Sequence, residues 1–190
     1  MDGACERFRT FLGLGGIFGR TTGEQFHISD TAVAHGKQRG NRSGIVLIRK
    51  GEYELTMVTQ ITSGCIFGVE CRMVRVEIDV SNGLPMFEMV GRLSGEVKEA
   101  AKRVRVALKN EDITIPPQRI TVNLAPADVP KEGTGFDLPI ALGLLEALGI
   151  IPEECCKDAF VAGELALDGK VSRINGVLPM IMEARKTGMK

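Results

Sequence analysis

The segment Leu138–Leu148 carries apolar side chains nearly all the way round, with Leu138, Ile140, Leu142, Leu144, Leu145 and Leu148 inside eleven residues. A helix of that kind has no wet face and forms only where other elements wrap it. Asp137 in front of it predicts an N-cap, which leaves Pro139 in the first turn, where it costs no hydrogen bond. This helix must therefore be central, and the rest of the chain must supply its wrapping.

The surrounding sequence predicts the wrapping. Val58–Phe67 reads as a first strand and Val69–Val80 as a second. In the second, Val74, Val76, Ile78 and Val80 alternate with Arg75, Glu77 and Asp79, the pattern of a strand with one wet face. Ser81-Asn82-Gly83 is a turn signal, and Pro85–Val90 is predicted as the hairpin partner. Ser94 caps a helix running to about Asn110, with Glu96 favourably in its first turn and Val97, Ala101, Val104 and Leu108 as its buried stripe. After Pro116-Pro117, Arg119–Leu124 reads as a strand, and Pro126 and Pro130 frame a rigid loop. Ala159–Leu167 is predicted as a strand, Asp168-Gly169 as a tight turn, and Lys170–Ile174 as its return. Gly176–Lys190 reads as a helix with Val177, Met180, Ile181 and Ala184 on one face. The order predicts an α+β layer sandwich.

Residues 1–56 differ from the rest. They are rich in Gly, Thr, Arg and Ser and show no sustained period. Phe8, Phe11, Leu12, Leu14, Ile17 and Phe18 favour a short helix that Gly13, Gly15 and Gly16 interrupt. Thr21–Ser43 reads as disordered. The expected division is an extension over 1–56, disordered or non-native, and a domain over 57–190. Lys50-Gly51-Glu52 fits a purine-rich run like a ribosome-binding site, which suggests Met57 as the biological start; a genuine floppy extension is the alternative. The chain stops just after Gly188, as if cut at a domain edge or inside a longer reading frame.

The formal net charge is zero, so no global field draws the chain to nucleic acid or membrane, and any DNA contact needs a local patch. No apolar run is long enough to span a bilayer, and the N-terminus lacks the apolar core of a signal peptide. The expected location is the cytoplasm. The five cysteines, Cys5, Cys65, Cys71, Cys155 and Cys156, include no Cys-x-x-Cys pair, and His27 and His35 lie far from them. Reduced thiols, several of them buried, are expected rather than a zinc site.

Four stretches carry a resemblance. They are Asp79-Val-Ser-Asn-Gly-Leu-Pro85, Arg119-Ile-Thr-Val-Asn-Leu-Ala-Pro-Ala-Asp128, Pro130-Lys-Glu-Gly-Thr-Gly-Phe-Asp-Leu-Pro-Ile-Ala141 and Gly163-Glu-Leu-Ala-Leu-Asp-Gly169. Over about Met57–Lys190 the chain resembles the N-terminal, Lon-protease-like domain of the ComM/YifB family of Mg-chelatase-like AAA+ ATPases. The resemblance implies a Lon proteolytic-domain-like fold, shared with a ribosomal small-subunit protein and including a left-handed βαβ crossover. It implies that ATP and Mg belong to an ATPase module beyond Lys190, and that no cofactor binds this part. It implies a homo-oligomer, hexameric in full-length relatives, that drives branch migration of recombining DNA. The motif residues carried over are Asn123, Asp128, Lys131, Gly133, Asp137, Gly163, Glu164 and Gly169. Of these, Gly133, with Gly135, is expected to shape the loop before the central helix. Asn123 and Asp128 are expected to tie loop backbone together, and Lys131 to be a turn residue.

Lon-type peptidases use a serine nucleophile and a lysine of lowered pKa. The resemblance puts the serine position on Gly135, which has no side chain to acylate, and the lysine position on Leu178. Thr134 adjoins the first, but a one-residue shift displaces a hydroxyl by ångströms. No Gly-x-x-x-x-Gly-Lys-Ser/Thr loop is present, and Gly133-Thr-Gly135 alone is a weak anion signal. These readings predict a non-catalytic domain with no metal site.

For DNA the local candidate is the first helix. Lys98, Lys102, Arg105 and Lys109 fall on one face, with Arg103 nearby and Arg92 just before it. Such a stripe suits phosphates without sequence preference. A solvated face with Glu99–Arg103 and Glu96 partnerships is the alternative. A protein-substrate-binding domain and a ligand-free oligomerisation module remain open beside the DNA role.

Overall fold

A computed structural model describes residues 58–152 and 155–189. The features expected in the preceding segment lie outside the described residues. These include the short apolar helix, His27, His35, Cys5 and the start at Met57.

Among the described residues nine elements follow one another: β1 (Thr59–Phe67), β2 (Glu70–Ser81), β3 (Met86–Val90), α1 (Gly95–Asn110), β4 (Arg119–Ala125), α2 (Asp137–Ala147), β5 (Glu164–Leu165), β6 (Val171–Ser172) and α3 (Val177–Lys186). The main sheet has the order β1-β2-β4-β3, and β5-β6 forms a small second one. The alternation read in β2 is realised: Val74, Val76 and Ile78 are fully buried on one face. The antiparallel register sets Ile61 opposite Val76 and Ile78 opposite Val122. Burial of side chains this size contributes roughly 1.5–3 kcal/mol each, which makes this face the main stabilising surface.

The predicted hairpin between β2 and Pro85–Val90 is not formed. β3 instead pairs in parallel with β4, Phe87 opposite Ile120 and Met89 opposite Val122. A parallel neighbour requires a crossover, and α1 supplies it. Ser94 caps α1 as predicted, accepting from the Val97 N–H at 3.4 Å. The buried stripe is Val97, Ala100, Val104, Ala107 and Leu108, so Ala100 lies deeper than the expected Ala101.

α2 is buried along almost its whole length and crosses β1 and β2 at Gly143. A Cβ there would stand 2.6 Å from Ile78 Cδ1 and 3.0 Å from Ile61 Cγ1, so the missing side chain permits the close approach. The helix begins at Asp137, but the cap position is Phe136 and makes no side-chain cap bond. Asp137 therefore does not cap its own helix; its carboxylate is engaged elsewhere, as described below.

α3 packs near the loop end of β1 and β2. Gly176 precedes it at φ +78°, and a Cβ there would meet Ile66 Cγ1 at 2.4 Å. Met180 and Ala184 face inward, whereas Val177 and Ile181, expected on the same buried face, are about half exposed. The strand predicted over Ala159–Leu167 shrinks to β5, with an isolated parallel bridge from Phe160 to Thr62. The mixed sheet-and-helix architecture agrees with the α+β expectation. Among the described residues no helix is long and apolar enough to cross a membrane.

Candidate functional site

The loop between β4 and α2 holds the positions singled out for chemistry. Two backbone bonds fix it: Lys131 N–H donates to Arg92 O and Ser94 N–H to Lys131 O, each at 2.9 Å. The loop thus lies beside the start of α1. Glu96, in the first turn of α1, accepts from the Gly133 N–H at 3.1 Å. On the far side Gly163 N–H donates to Gly135 O at 2.9 Å, and Leu138 N–H to Gly163 O at 3.0 Å. The loop is held between α1 and β5.

Lys131 corrects its sequence reading. It is more than a turn residue: its side chain is fully buried, and its ammonium donates to Pro126 O. Burial pushes its pKa below the ordinary value. The Cys65 thiol, also buried, donates to Pro130 O at 3.5 Å, and burial raises its pKa. The buried cysteines expected from composition are Cys65 and Cys71, whereas Cys155 and Cys156 are partly exposed.

Asp137 is the second buried charge. Arg103 grips it with Nε at 2.7 Å and Nη2 at 2.9 Å, and the Leu165 N–H adds a bond at 3.2 Å. Burial raises the Asp137 pKa, the Arg103 guanidinium opposes that shift, and the bond to Asp137 holds Arg103 above its own ordinary value. One carboxylate therefore joins α1, α2 and β5. Arg103 accordingly leaves the DNA stripe: its side chain is 20% exposed, and its second nitrogen also donates to Glu96 O. The ion pair with Glu99, at 3.8 Å, is the partnership expected on that flank.

Gly135 and Leu178, the positions to which the resemblance assigned the peptidase serine and lysine, lie in the loop before α2 and on α3. A Cβ on Gly135 would stand 3.3 Å from Ile174 Cδ1, and Leu178 is 70% exposed on α3. Neither the Thr134 nor the Ser63 hydroxyl donates to an amine. Thr134 Oγ1 donates to Glu164 Oε2, and the fully buried Ser63 hydroxyl has no hydrogen-bond partner among the described residues. Hence no hydroxyl–amine hydrogen bond forms at this loop among the described residues. The anion-binding possibility at Gly133-Thr134-Gly135 also narrows, because both Gly133 N–H and Thr134 Oγ1 already serve the protein's own carboxylates.

The other motif residues are scattered. Asn123 does not tie loop backbone; it lies within β4 and donates to Glu77 Oε2 across the strand pair at 2.8 Å. Asp128 is exposed and accepts no hydrogen bond among the described residues. Gly169 occupies the β5–β6 turn, its N–H donating to Ala166 O at 2.9 Å. No group of His, Cys, Asp and Glu suited to a metal occurs among the described residues.

Two surfaces stand out. Lys98, Lys102, Arg105 and Lys109 are exposed along α1 and make no ion pair with the described residues, and Arg92 is exposed just before them. Around α3, Phe160, Ile174, Val177, Ile181 and Met189 line an open apolar groove of about 330 Å³. Sequence reasoning missed this groove, because Val177 and Ile181 carry the pattern of a buried face.

A profile of the family described as Subunit ChlI of Mg-chelatase matches residues 76–190. The chain belongs to this Mg-chelatase-like family. Within it, the chain is 46% identical over 127 residues to "Competence protein ComM" of Haemophilus influenzae, covering 67% of this chain and 25% of the relative. It is 43% identical over 123 residues to "Uncharacterized protein YifB" of Escherichia coli, covering 65% and 24%. Similarity to "Lon protease" of Geobacter metallireducens is 27% over 176 residues, 88% of this chain and 20% of that protein. The chain thus spans about a quarter of the length of its curated Mg-chelatase-like relatives.

Proposed function

We propose that this chain is a non-catalytic, Lon-like accessory domain of a AAA+ motor of the Mg-chelatase-like family, assisting DNA recombination or branch migration. It does so by engaging DNA or by helping the oligomer assemble. The single observation that supports the non-catalytic part is that Gly135 and Leu178 stand where the resemblance puts the serine and the lysine of Lon-type peptidases. The engagement of Lys131 and Thr134 by Pro126 and Glu164 supports it. On this reading ATP and Mg act in a module outside the chain, the working form is a cytoplasmic homo-oligomer, and the domain occupies 57–190. The β3–α1–β4 unit is then the left-handed crossover of the Lon-like fold.

A second reading, an assembly or protein-binding domain, draws on the apolar groove beside α3. The two separate in the longer natural protein, assayed for ATP hydrolysis with duplex DNA, with unfolded casein, or with neither. Stimulation by DNA supports the first reading. Stimulation by casein alone replaces it with protein binding, and hexamers indifferent to both replace it with a ligand-free assembly module. Labelling of Ser63 or Thr134 by a fluorophosphonate probe overturns the non-catalytic assignment.

A further inference from the structure

The cationic side of α1 supports a finer assignment, which rests on the DNA-engaging reading above. At 100° per residue, Lys98, Lys102, Arg105 and Lys109 fall within a sector of about 60° and extend about 16 Å along the axis. Glu96 and Glu99 lie on the other flank, around Arg103. The helix therefore separates cations that make no ion pair among the described residues from its carboxylates.

Phe87 adds a second, independent observation. The Arg105 guanidinium lies over its ring, 5.6 Å from the centroid, and Phe87 also packs against the core from β3. An exposed arginine ordinarily keeps its rotamer freedom until it binds. Stacking on a ring fixed in the sheet removes part of that freedom in advance.

We propose that α1 tracks the phosphodiester backbone of duplex DNA through Lys98, Lys102, Arg105 and Lys109, with Arg105 pre-positioned by Phe87. Duplex is favoured over single strand because single-strand sites need open aromatic faces. Phe87 is the aromatic beside the stripe, and its ring lies between Arg105 and the core. No Asn or Gln accompanies the four cations on this face, so it offers no bidentate amide reader of adenine.

The test is fluorescence anisotropy of the 190-residue chain with a labelled duplex and with a single strand of the same sequence, from about 50 to 200 mM salt. Four phosphate contacts predict a slope of log K against log salt of about −3.6 on duplex. K98Q/K102Q/K109Q should bring it to about −0.9. R105K should keep the slope and weaken binding about 2- to 5-fold, and F87L should do the same. The two substitutions together should cost no more than either alone. Circular dichroism of each variant confirms folding. A wild-type slope that the lysine substitutions leave unchanged overturns this assignment while DNA engagement stands at another surface. A tenfold preference for single strand also overturns it. No binding to either oligonucleotide removes both this assignment and the DNA-engaging reading beneath it.

Discussion

Arg103 and Asp137 are joined by two hydrogen bonds, at 2.7 and 2.9 Å, although 34 residues separate them in the chain. Asp137 is fully buried and Arg103 largely covered. Removing one partner strands a buried charge, a loss of about 3 kcal/mol, whereas replacing both by apolar groups can be nearly neutral. Arg103→Met alone should lower unfolding free energy by about that amount in urea titration. Arg103→Met with Asp137→Leu should recover most of it. Equal losses from the single and double variants would refute this account of the junction.

Ser63 sits at the opposite extreme, a fully buried hydroxyl with no partner among the described residues. An unsatisfied buried donor costs about 1–3 kcal/mol. Ser63→Ala removes that cost with little change in volume, and should raise the urea midpoint. A marked fall would mean that the hydroxyl is satisfied after all.

At Gly176 two penalties coincide: a left-handed φ of +78° and Ile66 Cγ1 at 2.4 Å from an added Cβ. Gly176→Ala should destabilise the chain by about 2–4 kcal/mol, combining backbone strain with overpacking. Amide exchange should report faster opening in α3 than in α2. Gly176→Ala in an Ile66→Ala background should recover the steric part alone.

Alkaline pH should weaken the fold through Cys71. Burial pushes this thiol from 9.0 up to about 11. Its folded pKa is raised, so its contribution is complete below pH 9 and is lost as pH rises through about 11. Lys131 has the opposite sign: its folded pKa is lowered, so its contribution is present above 10.5 and lost as pH falls through the folded value. Comparing Cys71→Ala with the parent chain isolates the thiol. The parent should lose stability between pH 9 and 11 relative to the variant, and parallel curves would reject the assignment.

The parts of this fold that were legible in the sequence are those set by local period and local caps. β2 alternates because one face meets α2, and Ser94 caps α1 because its hydroxyl reaches only three residues ahead. What failed depends on distant partners. Ser81-Asn82-Gly83 announces a reversal, but whether β3 then joins β2 or β4 is decided by the crossover through α1. Asp137 has the composition of a cap, and nothing nearby in sequence distinguishes a cap from an acceptor for Arg103. The strand expected over Ala159–Leu167 is short because Gly163 gives both backbone groups to the loop and start of α2. The burial of Lys131 was not legible, because a Pro-Lys-Glu-Gly run carries no sign of where its lysine points.

The sheet order leaves one border of the main sheet at β3, and Glu88 stands at the midpoint of that strand. If a second copy came alongside in the two-fold antiparallel manner centred there, the two acidic groups would meet head on, a repulsive arrangement. Arg119, at 3.6 Å, offers each only a half-exposed counter-ion. A single mid-strand glutamate thus disfavours that one pairing at the β3 border.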